Sequence, residues 1–141
     1  MKLISLVLLM VSLVYAKTYR NSSSQVVIDD INKLVWVDNQ TNLLNKLTHE
    51  EATEYCASLK HARYSDWRLP SVDEFKTIVD KKNKSNFINR AFRYNHNDGY
   101  WADKALWRTL WFYADYMHFV SGTAYYDSRH KTKYVRCVRS F

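Results

Sequence analysis

Two cysteines and five histidines are the residues of this 141-residue chain whose types could carry redox or metal chemistry. Their spacing argues against most of it. Cys56 and Cys137 stand 81 positions apart, and neither has a second Cys or His at metal-ligand spacing. Such an even pair reads as one disulfide in an oxidising compartment. Closing a loop that long is worth about 4.5 kcal/mol on the chain-entropy model. His49, His61, His96, His118 and His130 are scattered and make neither H-x-x-x-H nor H-E-x-x-H. They read as surface or hydrogen-bonded histidines, and no metal is expected. With two Gly in the chain there is no Gly-rich phosphate loop, and no cofactor is expected either.

Acid–base chemistry would need two carboxylates about 5–10 Å apart across a cleft. For a small basic hydrolase the candidates are Glu50, Glu51, Glu74 and Asp80, with His118. Glu51 and Glu74 each stand three residues after a Thr or Ser, the spacing of a capping box, which commits them to helix starts. Cations are more conspicuous: 21 Lys and Arg face 14 Asp and Glu, a net charge of +7. One cluster is Lys81, Lys82, Lys84, Arg90 and Arg93; another is Arg129, Lys131 and Lys133. Aromatics are interleaved with them (Phe87, Phe92, Tyr94; Tyr125, Tyr126, Tyr134) and could stack on sugar rings while the cations meet sulfate or carboxylate. The plainer alternative is a solvated positive surface. Asp66-Trp67-Arg68-Leu69-Pro70 is tight and charged, but its residue types suit structure. Trp67 and Leu69 would point inward, Arg68 would offer its fork to Asp66, Glu74 or carbonyls, and Pro70 would fix a helix entry. Near the end of the chain Arg136 is expected in an internal ion pair and Arg139 in solvent.

The elements that must position these residues follow from patterning. Met1-Lys2, an apolar run from Leu3 to Val14 and Val14-Tyr15-Ala16 make a signal peptide cleaved after Ala16. At about 12 residues the run is too short to span a bilayer, so no membrane span is expected after cleavage. The expected location is the periplasm or the outside of the cell, where nucleic acid is not an expected partner. Residues 17–25 are polar and expected to be loosely ordered. Gln25–Ile28 and Leu34–Val37 read as a hairpin, and 38–47 as loop. Thr48-His49-Glu50-Glu51 caps a helix over 49–60 whose apolar face is Ala52, Tyr55, Cys56 and Leu59. Ser71-Val72-Asp73-Glu74 caps a second helix over 72–82, with Lys81, Lys82 and Lys84 at its C-terminal end. Strands are expected at 100–101, 111–113, 116–120, 123–126 and 134–138, with Ser121-Gly122 as a two-residue turn. An apolar share of 47% excludes a disordered chain, and the length fits one domain. The order of elements is that of an α+β domain.

Trp36, Glu51-Ala52, Tyr55-Cys56, Tyr64 to Ser71 (YSDWRLPS), Glu74, Ile78-Val79-Asp80, Phe92, Tyr100-Trp101, Phe119, Gly122 and Tyr134 to Arg139 (YVRCVR) form a specific combination. Over roughly residues 26–139 it resembles the bacterial family of the C-terminal domain of the Legionella collagen-like protein. The resemblance implies a C-type-lectin-like fold over residues 26–141, with two helices packed on a small meander of strands. It also implies a disulfide from the first helix to the final strand, where Cys56 and Cys137 stand. The chain departs from the family near 101–119: Ala102-Asp103 follow Trp101 where small hydroxyl residues are usual, and 105–113 is unusually aromatic. The Glu-Pro-Asn and Trp-Asn-Asp motifs of calcium-dependent lectins are absent, so no calcium-dependent sugar site is expected. The oxidase cysteine pair of formylglycine-generating enzymes is absent too. The expected function is a non-enzymatic, exported binding module for an anionic polysaccharide or an envelope partner. The alternatives are the small hydrolase and a structural envelope subunit.

Overall fold

Val26–Asp29 (β2) and Leu34–Val37 (β3) are the densest β-branched runs of the first third, and they pair antiparallel as a hairpin. The computed structural model in which they are seen describes residues 17–106 and 110–141; the signal peptide expected at 1–16 lies outside them. Asp29 shapes the turn: its Oδ1 accepts from the N–H groups of Ile31 and Asn32, each at 3.0 Å. Thr18–Asn21 (β1) adds to the outer edge of β2, with Tyr19 opposite Ile28. This corrects the loose order expected for 17–25. A polar edge strand carries no apolar signal, and this one is tied down through Arg20.

The helices obey their caps. Thr41–Leu44 (α1) is a single turn inside the expected loop. His49–Ser58 (α2) and Val72–Ile78 (α3) both begin with complete capping boxes, Thr48 with Glu51 and Ser71 with Glu74. Each satisfies backbone donors that would otherwise be orphaned. α3 stops short of the expected residue 82. Val79 is extended and bridges Ile88, packing on the core as a strand residue. Lys81, Lys82 and Lys84 therefore lie in a turn beyond the helix and not on its last turn.

Gly99–Ala105 (β4), Tyr113–His118 (β5) and Thr123–Ser128 (β6) form a second antiparallel sheet. Trp111 and Phe112 are not strand residues. Leu110 and Trp111 have φ of 53° and 60°, a left-handed turn that ends pairing before Tyr113. The β5–β6 turn spans four residues, 119–122, not two. Gly122 closes it at φ +65°, and a Cβ there would lie 2.6 Å from Val79 Cγ1.

The last segment holds the two sheets together. Val138–Ser140 (β7) pairs with β3 in the first sheet. Just before it, Tyr134 bridges Tyr100 of β4 in parallel. Val135, Arg136, Cys137 and Val138 are all buried, and the side chains alternate, with Val135 and Cys137 in one apolar cluster and Tyr134 and Val138 in or against the other. Both sides of this segment are covered. Two apolar clusters flank it, one around Trp36, Phe75, Tyr100 and Phe119, the other around Trp67, Trp101, Cys56 and Cys137. Cys56 and Cys137 are bonded, with Cα atoms 5.5 Å apart, which fixes α2 to this junction.

Candidate functional site

The Asp66–Pro70 motif spends its chemistry on the fold. Trp67 is 3% exposed, and its indole Nε1–H donates to the carbonyls of His61 and Tyr64, both at 3.2 Å. Arg68 grips Glu74 through both terminal nitrogens, at 2.6 and 2.8 Å, and also donates to Ser140 Oγ. Partial burial works to raise the Glu74 pKa, but the hydrogen bonds from Arg68 and Ser71 outweigh it and hold the carboxyl below its ordinary range. Leu69 and Pro70 are buried, and the Pro70 carbonyl accepts from Asp103 N–H. Asp66 pairs not with Arg68 but with Arg139, at 2.7 and 3.0 Å, and that pair lowers the Asp66 pKa. Arg139, expected in solvent, also lies 3.7 Å from the centre of the Tyr64 ring. The reason is β7: it carries Arg139 back alongside the motif, where Arg68 and Val138 exchange backbone hydrogen bonds.

A buried cation sits at the junction of the sheets. Arg136 is fully buried, and its Nη1 donates to the Val37 carbonyl at 2.6 Å and to Asp38 Oδ1 at 3.3 Å. Its Nη2 donates to the Tyr94 carbonyl and to Asn95 Oδ1. The expected internal ion pair is therefore with Asp38, which is itself fully buried. Asp38 also takes Arg20 Nε at 2.6 Å and the backbone N–H groups of Arg93 and Tyr94. Sequence reading named Arg136 but missed Asp38, Asn42 and Arg20. Nothing local marks them, because Asn42, whose Oδ1 accepts from Arg136 Nη1 at 3.5 Å, and the other partners come from four separate stretches of chain, at 20, 37–38, 42 and 93–95.

The two basic clusters fare differently. Lys131 and Lys133 share Asp127, at 3.2 and 3.0 Å, and Lys133 lies 3.9 Å above the Tyr116 ring. Arg129 donates to the Trp111 carbonyl. In the other cluster Lys81, Lys82, Lys84, Arg90 and Arg93 are all exposed, and among the described residues none forms an ion pair. Tyr94 is half-buried there, with the guanidiniums of Arg20 and Arg93 at 5.7 and 5.8 Å from its ring centre.

The carboxylates considered for hydrolysis are dispersed. Glu51 and Glu74 close their capping boxes, and Asp80 accepts from Lys82 N–H. His118 lies among the rings of Tyr116 and Tyr125. Glu50 lines a different recess, described below. Asp103 and Asp115, neither of them among the candidate carboxylates, border a shallow hollow with Ser71 and Lys104. Desolvation pushes both of these carboxyls up, and for Asp103 the Glu74 charge adds to it. His49 is buried rather than superficial: one ring nitrogen meets the Ala102 carbonyl at 2.8 Å, while Nδ1 has no partner among the described residues. Burial pushes its pKa down against the pull of that carbonyl.

The loop joining β4 to β5 presents a second kind of surface. Leu106 N–H donates to the Tyr113 carbonyl and Trp111 N–H to the Leu106 carbonyl, closing the loop. Trp111 and Phe112 stand 56% and 57% exposed above the start of α2. They border a cleft of about 200 Å³ shared with Thr48, Glu50, Arg129 and His130.

Fold and site together define a disulfide-locked α+β domain of two antiparallel sheets, with its conspicuous motif turned to its own architecture and its spare charge in loops. The family model of the Lcl C-terminal domain matches residues 25–139, and the chain belongs to that family. No curated protein matches the chain. Among the described residues no helix is long and apolar enough to cross a membrane.

Proposed function

We propose that this chain is an exported, non-enzymatic binding module of C-type-lectin-like architecture that recognises an anionic polysaccharide through the segment between α3 and β4. One observation carries the reading: the five cations of residues 81–93 are exposed and lack carboxylate partners among the described residues. An unpaired surface cation keeps its Coulomb attraction for an incoming anion, whereas Lys131 and Lys133 are already answered by Asp127. Five such charges on one loop suit a polymer of repeated sulfates or carboxylates better than a single small anion. The disulfide and the N-terminal apolar run support export. The disulfide between the first long helix and the final strand segment supports the lectin-like architecture. The commitment of Glu51 and Glu74 to helix caps supports a role without catalysis.

The test is elution from immobilised heparin across a salt series, with the oxidised protein. The wild type should elute late, and Lys81→Gln/Lys82→Gln/Lys84→Gln should elute at clearly lower salt with unchanged thermal stability, since exposed lysines add little to folding. Early elution of the wild type, unchanged in the triple variant, would remove the polyanion and leave a protein partner or a structural role.

A further inference from the structure

We propose that the cleft beneath Trp111 and Phe112 is a second binding site, which takes one uncharged sugar ring. Three features of the cleft select this occupant. The first is size: about 200 Å³ falls below the ~300–1,000 Å³ typical of larger ligands and suits a single pyranose. The second is the pairing of aromatic planes with polar groups. Trp111 and Phe112 are more than half exposed, and an aromatic face is matched by the C–H face of a sugar. Around them stand the Thr48 hydroxyl, the Glu50 carboxylate, the Arg129 guanidinium and the His130 ring, which lies edge-on to Phe112 at 6.5 Å. Glu50 has no hydrogen-bond or ion-pair partner among the described residues, and Arg129 Nε is buried with none. A purely apolar occupant would strip water from these groups and return no hydrogen bond, which is costly. Sugar hydroxyls, which both donate and accept, answer a carboxylate and a guanidinium at once.

The third feature is charge. Glu50 and Arg129 cancel within the cleft, and the Glu50 carboxylate repels a sulfate or uronate. The cleft thus differs in kind from the cationic 81–93 segment, and the inference stands whether or not that segment binds a polyanion. The backbone that carries the two rings is held in place: Arg129 Nη1 donates to the Trp111 carbonyl, and Arg129 N–H to the Phe112 carbonyl. Less backbone freedom is then lost on binding.

The experiment is saturation-transfer NMR of the oxidised protein with maltose, cellobiose and lactose as probes. Ring protons of at least one should be saturated, and the signal should persist from low salt to about 0.5 M, where exposed charges are screened. Trp111→Ala should weaken binding about five- to tenfold, as expected for loss of a stacking plane, and Glu50→Gln should weaken it less. Lys82→Gln is the control and should change nothing. Thermal denaturation of each variant checks that it is folded; Trp111 and Glu50 are exposed, so both variants should be. No saturation from any of the three sugars, or saturation untouched by Trp111→Ala, would overturn the proposal. So would a wild-type dimer in light scattering that Trp111→Ala returns to monomer, since the planes would then join two copies.

Discussion

Asp38→Asn exchanges one oxygen for an NH2 group at a carboxylate with no exposure to solvent, and the geometry makes that exchange severe. Oδ1 accepts from Tyr94 N–H at 3.0 Å and from Arg136 Nη1 at 3.3 Å; Oδ2 accepts from Arg20 Nε at 2.6 Å and from Arg93 N–H at 3.0 Å. Whichever end of the amide carries the NH2, it meets one guanidinium donor and one backbone donor. Flipping the amide does not help. The variant therefore leaves Arg136 as a buried cation without its counter-charge, a loss of about 3–5 kcal/mol when one partner of a buried pair is removed. It also strands a buried backbone N–H, for about 1–3 kcal/mol, and the two penalties overlap because they share one site. The carbonyls of Val37 and Tyr94 continue to solvate Arg136, which keeps the total near the lower end, about 4 kcal/mol. Against the ~5–15 kcal/mol of a typical domain this is a large fraction. Urea unfolding of the oxidised protein should show the midpoint falling with the slope unchanged. The melting temperature should drop by roughly 15 °C, at about 4 °C per kcal/mol for a domain of this size. Asp66→Asn, at the exposed Arg139 pair, is the control and should shift the midpoint far less. A loss below about 1 kcal/mol for Asp38→Asn would refute the view that this carboxylate anchors the sheet junction, because that is the range of an exposed pair.

Trp67→Ala should cost about 3–5 kcal/mol by emptying a core position and removing the donor shared by the His61 and Tyr64 carbonyls. Differential scanning fluorimetry reads it, and a variant that stays as stable as wild type while losing heparin binding would show the motif to be a contact surface. Stability should fall on acidification from pH 7.5 through the ordinary histidine value near 6.5. Burial depresses the folded-state pKa of His49, so the unfolded chain takes up the proton first, and stability present above 6.5 is lost as pH falls toward the folded value. His49→Gln should flatten that part of the profile in urea titrations; an identical slope in the variant would assign the loss to other groups.

What the sequence made legible was local or topologically forced. A capping box is complete within four residues, so Thr48–Glu51 and Ser71–Glu74 announce the starts of α2 and α3 without tertiary knowledge. With two cysteines only one intramolecular pairing exists, and it formed. The misread parts depend on distant neighbours. α3 ends where Val79 finds Ile88, nine residues on, and helical periodicity cannot see that bridge. Arg139 looked solvated because its partner, Asp66, lies 73 residues earlier. Alternation holds along 134–138, with Val135 and Cys137 facing one apolar cluster and Tyr134 and Val138 the other, but what covers each face comes from distant parts of the chain. On the site, the charge clusters could be seen but not which cations were already paired. Asp127 pairs with two of them from a position with no distinctive spacing.

The placement of the Arg136 hub explains how this domain can carry exposed loops without losing its frame. Arg20 comes from β1, Asp38 from the end of β3, Tyr94 and Asn95 from the run into β4, and Arg136 from the segment before β7. Those contacts fix the relative position of both sheets at a single buried point. The disulfide and the Arg68–Glu74 clamp fix α2 and α3 to the same closing strand segment. The segments between these fixed points are 81–93 and 106–113, and among their described residues the frame does not draw on the exposed side chains. Lengthening or recolouring a surface loop costs little when its ends are held, since closure entropy grows only slowly with length. The residues free to change are therefore those that face solvent as unpaired cations or bare aromatic planes, and they are the ones on which both binding proposals rest.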